Sequence, residues 1–254
     1  MSKTFAPAVY RPGVGPVKAR VPPPARRGPG CRGNRHLVSQ GVRDAPEWLF
    51  DLDNTLYPPE NGLFGAVDDR INEFLATHLG VSGPAADELR RRYHDQYGIT
   101  LVGLMEVHGT EPHHYLDFVH CVPVADYLGP DPGLRELIGG LPGRRSIFTN
   151  GSRRHALAVL AALGLEGLFE EIFDIVALGF QPKPDPATYR TVLERLGAEP
   201  SRAILLDDLA RNLAPARQIG MRTVLVGPAA PSGSADFSIR TIQDLPMILP
   251  LLLA

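Results

Sequence analysis

The feature that most constrains the fold is a short apolar run that ends in two aspartates separated by one residue. Residues 48–50 are apolar, Asp51 and Asp53 follow, and two prolines come soon after. Such a run predicts a short strand buried on both faces of a parallel sheet. The aspartates then lie at the carboxyl edge, where open α/β sheets bind ligands. Two carboxylates there repel each other unless a cation lies between them, which predicts a metal site. A helix cap or an Asx-turn is the alternative.

A second predicted strand also runs into polar residues. Residues 146–148 lead to Thr149 and Asn150, and a helix is predicted over residues 153–163. Backbone amides at a helix N-terminus suit phosphate oxygens. Taken alone, the segment is equally consistent with an ordinary helix cap.

Two further segments add a cation and a second pair of acids. Lys183 lies between prolines that stiffen its loop, so its ammonium group is held for an anionic partner. An apolar strand predicted over residues 203–206 ends in Asp207 and Asp208. These carboxylates supply the cation ligands that the first motif lacks.

In combination, the four segments resemble the haloacid dehalogenase superfamily of phosphohydrolases. The resemblance implies that Asp51 is the nucleophile and that Asp53 is the general acid and base. It implies that Thr149 and Lys183 clamp the phosphate and that Asn150 contributes to substrate binding. The second aspartate indicates phosphate chemistry rather than carbon–halogen chemistry, because a dehalogenase does not need an acid there.

The resemblance also implies a magnesium ion. Its ligands would be the carboxylate of Asp51, the backbone carbonyl of Asp53, and Asp208, with Asp207 adjoining. Whether Asp207 binds the metal or orients Lys183 stays open at this point. A dianionic phosphate ester accepts an attacking carboxylate only when cations shield the charge.

The predicted fold is an α/β protein with a three-layer, parallel-sheet, Rossmann-like core and an inserted helical cap. The core covers residues 45–58 and 142–254, and the cap covers residues 59–141. Within the cap, apolar residues recur at three- and four-residue steps and end at Gly80, and Pro84 opens a second helix. A cap placed after the nucleophile strand would close over the site and choose the leaving group.

Two longer sequence segments resemble those of the pyrimidine 5′-nucleotidase branch of the superfamily. The relevant phrases are Asp-Leu-Asp-Asn-Thr-Leu-Tyr-Pro from Asp51 and Tyr-Gly-Ile-Thr-Leu-Val-Gly-Leu from Tyr97. The implied substrates are UMP, CMP and related small phosphomonoesters. Phosphoglycolate or a sugar phosphate, a phosphoglucomutase-like transfer, and a non-catalytic regulatory binder are the alternatives. A pure binder would have no use for Asp53.

Charge is unevenly distributed along the chain. Residues 1–44 contain nine Lys or Arg, one acid, seven prolines and six glycines, whereas the remainder holds 17 basic and 27 acidic residues. The tail is therefore expected to be disordered. It is consistent with a nucleic-acid-binding arm, with a targeting peptide, or with translation assigned from a start codon upstream of the true one. Nucleic acid is not the expected partner of the whole protein.

Only Cys31 and Cys121 occur, and no apolar run is long enough to span a membrane. These features predict a cytoplasmic protein without membrane association, and they leave the oligomeric state open. The cap also contains four clustered histidines whose spacing matches no tetrahedral metal site. Substrate contact and simple surface exposure are the two interpretations of these histidines, and exposure is favoured: His108, His113, His114 and His120.

Overall fold

The structure is a computed structural model that describes residues 45–228 and 233–254. Its strands are β1 (Glu47–Phe50), β2 (Arg144–Phe148), β3 (Glu171–Phe173), β4 (Ala203–Asp207), β5 (Arg222–Val226) and β6 (Phe237–Ile239). Its helices are α1 (Leu63–Leu79), α2 (Pro84–Tyr97), α3 (Thr100–His108), α4 (Pro112–Val119), α5 (Pro132–Gly140), α6 (Arg153–Ala162), α7 (Pro186–Leu196), α8 (Ala210–Gln218) and α9 (Leu245–Leu252). The predicted disorder of residues 1–44 concerns a segment outside the described residues.

All described strands form one parallel sheet in the order β3-β2-β1-β4-β5-β6. Side chains on a strand alternate between its two faces. Accordingly, Trp48 and Phe50 pack into one apolar cluster and Leu49 into another, on the opposite face. Helices α5, α6 and α9 contribute to the first cluster, and α7 and α8 to the second. The prediction of a three-layer α/β core is confirmed.

Helices α1 to α4 form the cap around a separate apolar cluster, to which Ile175 of the core also contributes. Phe74, Tyr93, Leu104 and Leu116 are buried in it. The predicted end of the first helix at Gly80 and the predicted start of the second at Pro84 agree with the observed ends to within one residue. Apolar residues at three- and four-residue spacing therefore located the helices of the cap correctly.

The segment between α4 and β2 packs with the sheet rather than with the cap. Val124, Leu128, Leu134 and Ile138 belong to the same cluster as Trp48. Periodicity predicted a cap that extends to residue 141, because it identifies a helix without showing which surface the helix covers. By its packing, the cap cluster takes no described residue between Val119 and β2.

Two glycines of the cap allow neighbouring segments to pack closely. A Cβ atom on Gly103 would lie 2.3 Å from the ring of Tyr93, so α2 and α3 approach this closely only with glycine there. Gly98 has a φ of +85°, and a Cβ atom there would lie 3.2 Å from Pro182 and 3.3 Å from Pro184. These contacts place the end of α2 against the loop that carries Lys183.

No described helix is long and apolar enough to cross a membrane.

Candidate active site

The carboxyl edge of the sheet brings together residues that are far apart in the sequence. Strand β1 lies between β2 and β4, in register with residues 144–147 and 203–206. The amide of Asp51 donates to the carbonyl oxygen of Leu206 at 2.9 Å. Asp51 therefore emerges between the ends of β2 and β4. The strand order reverses at this point, and ligands of open α/β sheets bind at such positions.

Lys183 is a buried cation held by three oxygen atoms. Its Nζ donates to Asp51 Oδ1, to the carbonyl oxygen of Phe148 and to Asp207 Oδ2, each at 2.7 Å. Burial acts to lower the pKa of this ammonium group, but Asp207 and Asp51 outweigh burial and raise the pKa above its ordinary value. A permanent positive charge is thus fixed beside the carboxylate of Asp51.

Asn150 anchors the loop that carries this lysine. Its Oδ1 accepts from the backbone amide of Lys183 at 2.8 Å, and its Nδ2 donates to the carbonyl oxygen of Lys183 at 3.0 Å. Both ends of the amide side chain are therefore used by the protein. Any contact of Asn150 with a substrate would involve its backbone or a shared side-chain atom.

Thr149 lies directly after β2 and begins the turn into α6. It is 2% exposed, and its Oγ1 accepts from the amide of Gly151 at 2.9 Å. Thr149, Asn150 and Gly151 line one cavity together with Asp51 and Lys183. The structure thus brings the four predicted polar segments to one place.

Asp51, Asp207 and Asp208 form an acidic cluster. One oxygen from each carboxylate lies within 4.8 Å of the others, a spacing that could hold a metal ion. Burial, followed by repulsion from Asp207, raises the pKa of Asp208 to about 7. Burial also raises the pKa of Asp51 well above its ordinary value, although Lys183 acts in the opposite direction. The cluster carries more negative charge than its surroundings neutralise, which is the environment a divalent cation requires.

The oxygens of Asp207 are already occupied by protein donors. Oδ1 accepts from the amide of Leu209 and from Asn212 Nδ2, both at 2.9 Å, and Oδ2 accepts from Lys183. A carboxylate bound on both oxygens is suited to hold Lys183 in place. This geometry favours the orienting role of the two that the sequence left open.

The side chain of Asp53 lies apart from the acidic cluster and contacts two residues that the sequence reading missed. Its Oδ1 accepts from the Tyr57 hydroxyl at 2.5 Å and lies 2.8 Å from His155 Nε2. Burial acts to raise the pKa of Asp53, but the imidazole of His155 and both hydrogen bonds outweigh burial and lower it. Tyr57 could have been suspected from its position four residues after Asp53, whereas His155 carries no such signal.

A cavity of about 400 Å³ extends from these residues into the cap. Its cap side is largely apolar, and the hydroxyl oxygen of Thr100 faces this environment without a hydrogen-bond partner among the described residues. Arg90, which also lines the cavity, is paired with Asp68. The apolar lining consists of Phe64, Val67, Ile71, Ile99, Leu101, Leu116 and Val119.

Two histidines connect the cap with the core on opposite sides of the cavity. His94 Nδ1 lies 2.8 Å from a guanidinium nitrogen of Arg211, and His120 Nδ1 lies 3.0 Å from Ser152 Oγ. Burial, followed by the neighbouring His155, lowers the pKa of His120 to about 3. His120 is partly buried, lines the cavity and stacks on His155, so simple surface exposure does not hold for this histidine, and substrate contact stays open for it.

Comparison with known proteins assigns the family. Residues 49–220 match the haloacid dehalogenase-like hydrolases, and the chain belongs to that family. It is 29% identical to phosphate metabolism protein 8 of Saccharomyces cerevisiae, over 70% of this chain and 60% of that protein. It is also 29% identical to a phosphoglycolate phosphatase of Rhodospirillum rubrum, over 70% of this chain and 78% of that enzyme. The chain spans 36% of a third relative, enolase-phosphatase E1 of Frankia alni.

Solved structures agree on the fold. The structure of CbbY from Rhodobacter sphaeroides in complex with phosphate has a TM-score of 0.58 at 22% identity, and the match covers 79% of this chain and 96% of that chain. A haloacid dehalogenase from Xanthobacter autotrophicus has a TM-score of 0.51 at 19% identity, with coverages of 81% and 98%. Likeness at these identities shows a shared architecture. The chemistry must be argued from the site itself.

The acidic cluster predicts a stability effect of Mg²⁺ that depends on Asp208. We expect Mg²⁺ to raise the melting temperature of the wild type and to have little effect on that of Asp208→Asn. At 100 times the Kd of Mg²⁺, the free energy of unfolding of the wild type should rise by roughly 2.7 kcal/mol. Without metal, at about pH 8, we expect Asp208→Asn to have a higher melting temperature than the wild type. The folded-state pKa of about 7 exceeds the unfolded value of about 4, so stability falls as pH rises through that interval.

Thermal unfolding followed by circular dichroism, with EDTA and with MgCl₂, measures both effects. Asp126→Asn is the matched control, because Asp126 is exposed and lies outside the lining of the cavity. An Asp208→Asn protein that gains as much stability from Mg²⁺ as the control would contradict the assignment of Asp208.

Proposed function

We propose that the protein is a phosphatase that hydrolyses small phosphomonoesters through a phosphorylated Asp51. The observation that carries this proposal is the contact between Lys183 and Asp51, at 2.7 Å in a buried site. A carboxylate beside a fixed cation can approach a dianionic phosphate that would otherwise repel it. The relatives named as phosphatases support the same chemistry.

In the first step, an oxygen of Asp51 bonds to phosphorus and the bond between phosphorus and the leaving oxygen breaks. The negative charge of the bound phosphate opposes the lowered pKa of Asp53, so Asp53 binds a proton in the complex and gives it to that leaving oxygen. In the second step, a water molecule transfers a proton to Asp53 while its oxygen bonds to phosphorus, which releases phosphate and restores Asp51. The hydroxyl of Thr149 donates to a phosphoryl oxygen, and Lys183 would exchange its contact with Asp51 for a second phosphoryl oxygen as Asp51 attacks. Asn150 holds the lysine loop in position.

Mg²⁺ is the cofactor we propose for this site. Asp51, Asp208 and the backbone carbonyl of Asp53 would hold it, and Asp207 would adjoin as the anchor of Lys183. The raised pKa values of Asp51 and Asp208 support the fit, because they mark carboxylates whose charge is poorly compensated by the protein alone. When bound, the cation supplies neutralisation of the negative charge on the phosphate.

For the leaving group we propose a pyrimidine nucleoside, so that UMP and CMP are the preferred substrates. A cavity of about 400 Å³ with an apolar cap side falls within the usual size of small-molecule sites and suits an organic ring. The hydroxyl of Thr100 offers that ring a hydrogen bond. Phosphoglycolate, which the Rhodospirillum rubrum relative suggests, is the second candidate, but its carboxylate gains little from an apolar lining.

We also propose that the protein works in the cytoplasm. Cys121 is a free and exposed thiol, which is the state that cysteine keeps in a reducing compartment. The proposed partner is the small phosphomonoester itself.

Replacement of the proposed nucleophile tests the reaction. Asp51→Asn keeps the shape of the side chain but removes the attacking charge, so phosphate release should fall by at least about 10³-fold. The measurement is release of inorganic phosphate from p-nitrophenyl phosphate with Mg²⁺, with Asp126→Asn as the control and circular dichroism to verify folding. Near-normal activity in a folded Asp51→Asn protein would rule out the proposed mechanism.

Substitution of the unpaired cavity hydroxyl tests the proposed substrate. Thr100→Val keeps the size of the side chain but removes the hydrogen bond, so KM for UMP and CMP should rise by about 2- to 10-fold, in line with one neutral hydrogen bond. Thr110→Val is the matched control, because Thr110 does not line the cavity. Initial rates should be measured on UMP, CMP, AMP, phosphoglycolate and p-nitrophenyl phosphate.

We expect kcat/KM for UMP and CMP to exceed kcat/KM for AMP by about 10- to 200-fold, because a larger base is too large for a pocket fitted to one ring. A clear preference for phosphoglycolate, or an equal response of all substrates to Thr100→Val, would contradict the pyrimidine assignment. Neither result would affect the role of Asp51.

A further inference from the structure

The two oxygens of Asp53 have different environments. Oδ1 is contacted by both the hydroxyl of Tyr57, at 2.5 Å, and Nε2 of His155, at 2.8 Å. Oδ2 has no hydrogen bond to any residue in the described part of the chain, and Asp53 lines the cavity. One oxygen is therefore anchored by two donors while the other remains available to a substrate.

The ring of His155 is fixed by the structure around it. His155 lies in the first turn of α6, is 2% exposed, and stacks on His120 with ring centroids 4.5 Å apart and planes at 17°. A Cβ atom on Gly151 would lie 3.5 Å from this ring, so the turn before the helix also borders it closely. Nε2 consequently points at Asp53 from a rigid position.

Packing alone does not explain an imidazole at this position. Nδ1 of His155 is buried without a partner among the described residues, so the ring leaves a polar atom unpaired. An apolar side chain would fill the same space without that cost. The polar contact that the ring does make goes to Asp53, which indicates that this contact is the reason for the histidine.

We propose that His155, together with Tyr57, is a positioning residue that anchors Oδ1 of Asp53 and thereby directs Oδ2 toward the leaving-group oxygen. The inference rests on the proposed phosphatase function. Asp53 then delivers its proton from Oδ2 along a fixed direction. Well-aligned proton transfer matters in proportion to the basicity of the leaving oxygen, because a poor leaving group cannot depart without a proton. A nitrophenolate departs readily without one.

The test compares two substrates of similar size whose leaving groups differ in basicity, p-nitrophenyl phosphate and benzyl phosphate. The quantity to measure is kcat/KM, which covers the reaction up to the departure of the leaving group and excludes the later attack of water. For His155→Leu we expect kcat/KM on benzyl phosphate to fall at least about tenfold further than on p-nitrophenyl phosphate. Tyr57→Phe should show the same trend to a smaller extent.

His155→Gln supplies the conservative variant, because its amide nitrogen can donate to Asp53 from a similar distance. We expect it to recover much of the lost ratio between the two substrates. His113→Gln is the matched control, since His113 is an exposed cap histidine outside the lining of the cavity.

Three outcomes would overturn the proposal. They are an equal loss of kcat/KM on both substrates, an absence of loss on benzyl phosphate, and a Gln variant as impaired as the Leu variant. If His155→Leu fails to fold, the comparison of Gln with wild type decides alone, and a wild-type ratio in His155→Gln supports the inference. A wild-type protein that hydrolyses neither substrate would refute the phosphatase function and this inference together.

Discussion

The site depends on one buried ammonium group shared by two carboxylates. Lys183 lies between Asp51 and Asp207, and the energetic cost of burying a charge is met only because all three groups are paired. Removal of any one of them would leave an uncompensated charge at the sheet edge. The protein surrounds the lysine with supports for this reason: Asn150 brackets its backbone, and Gly98 of the cap packs against its flanking prolines.

A division of labour among four aspartates follows from their surroundings. Asp51 contacts Lys183, and both oxygens of Asp207 accept hydrogen bonds from protein donors. Burial and repulsion from Asp207 raise the pKa of Asp208. Asp53 lies apart, with a lowered pKa and one oxygen anchored by protein donors. These different surroundings are the basis on which we propose attack for Asp51, support for Asp207, metal binding for Asp208 and proton transfer for Asp53.

The sequence predicted the parts of the molecule that local patterns encode. Apolar runs located the strands, and three- and four-residue periodicity located the cap helices, because both reflect which faces are buried. The convergence of Asp51 with Lys183 followed from the rule that parallel strands share a carboxyl edge. The contact of His155 with Asp53 could not be predicted, because it joins residues 102 positions apart through helix geometry. The cap boundary at residue 141 stays a prediction, since periodicity does not show which surface a helix covers.

The central claim is that Asp51 carries the phosphoryl group during turnover. Rapid mixing of enzyme, Mg²⁺ and excess substrate, followed by acid quench, peptic digestion and mass spectrometry, tests it directly. The account predicts a phosphorylated peptide whose fragmentation places the group on Asp51, formed within one turnover and lost once the substrate is exhausted. Phosphate release without any phosphorylated peptide at early times, or a phosphoryl group on a different residue, would contradict the account.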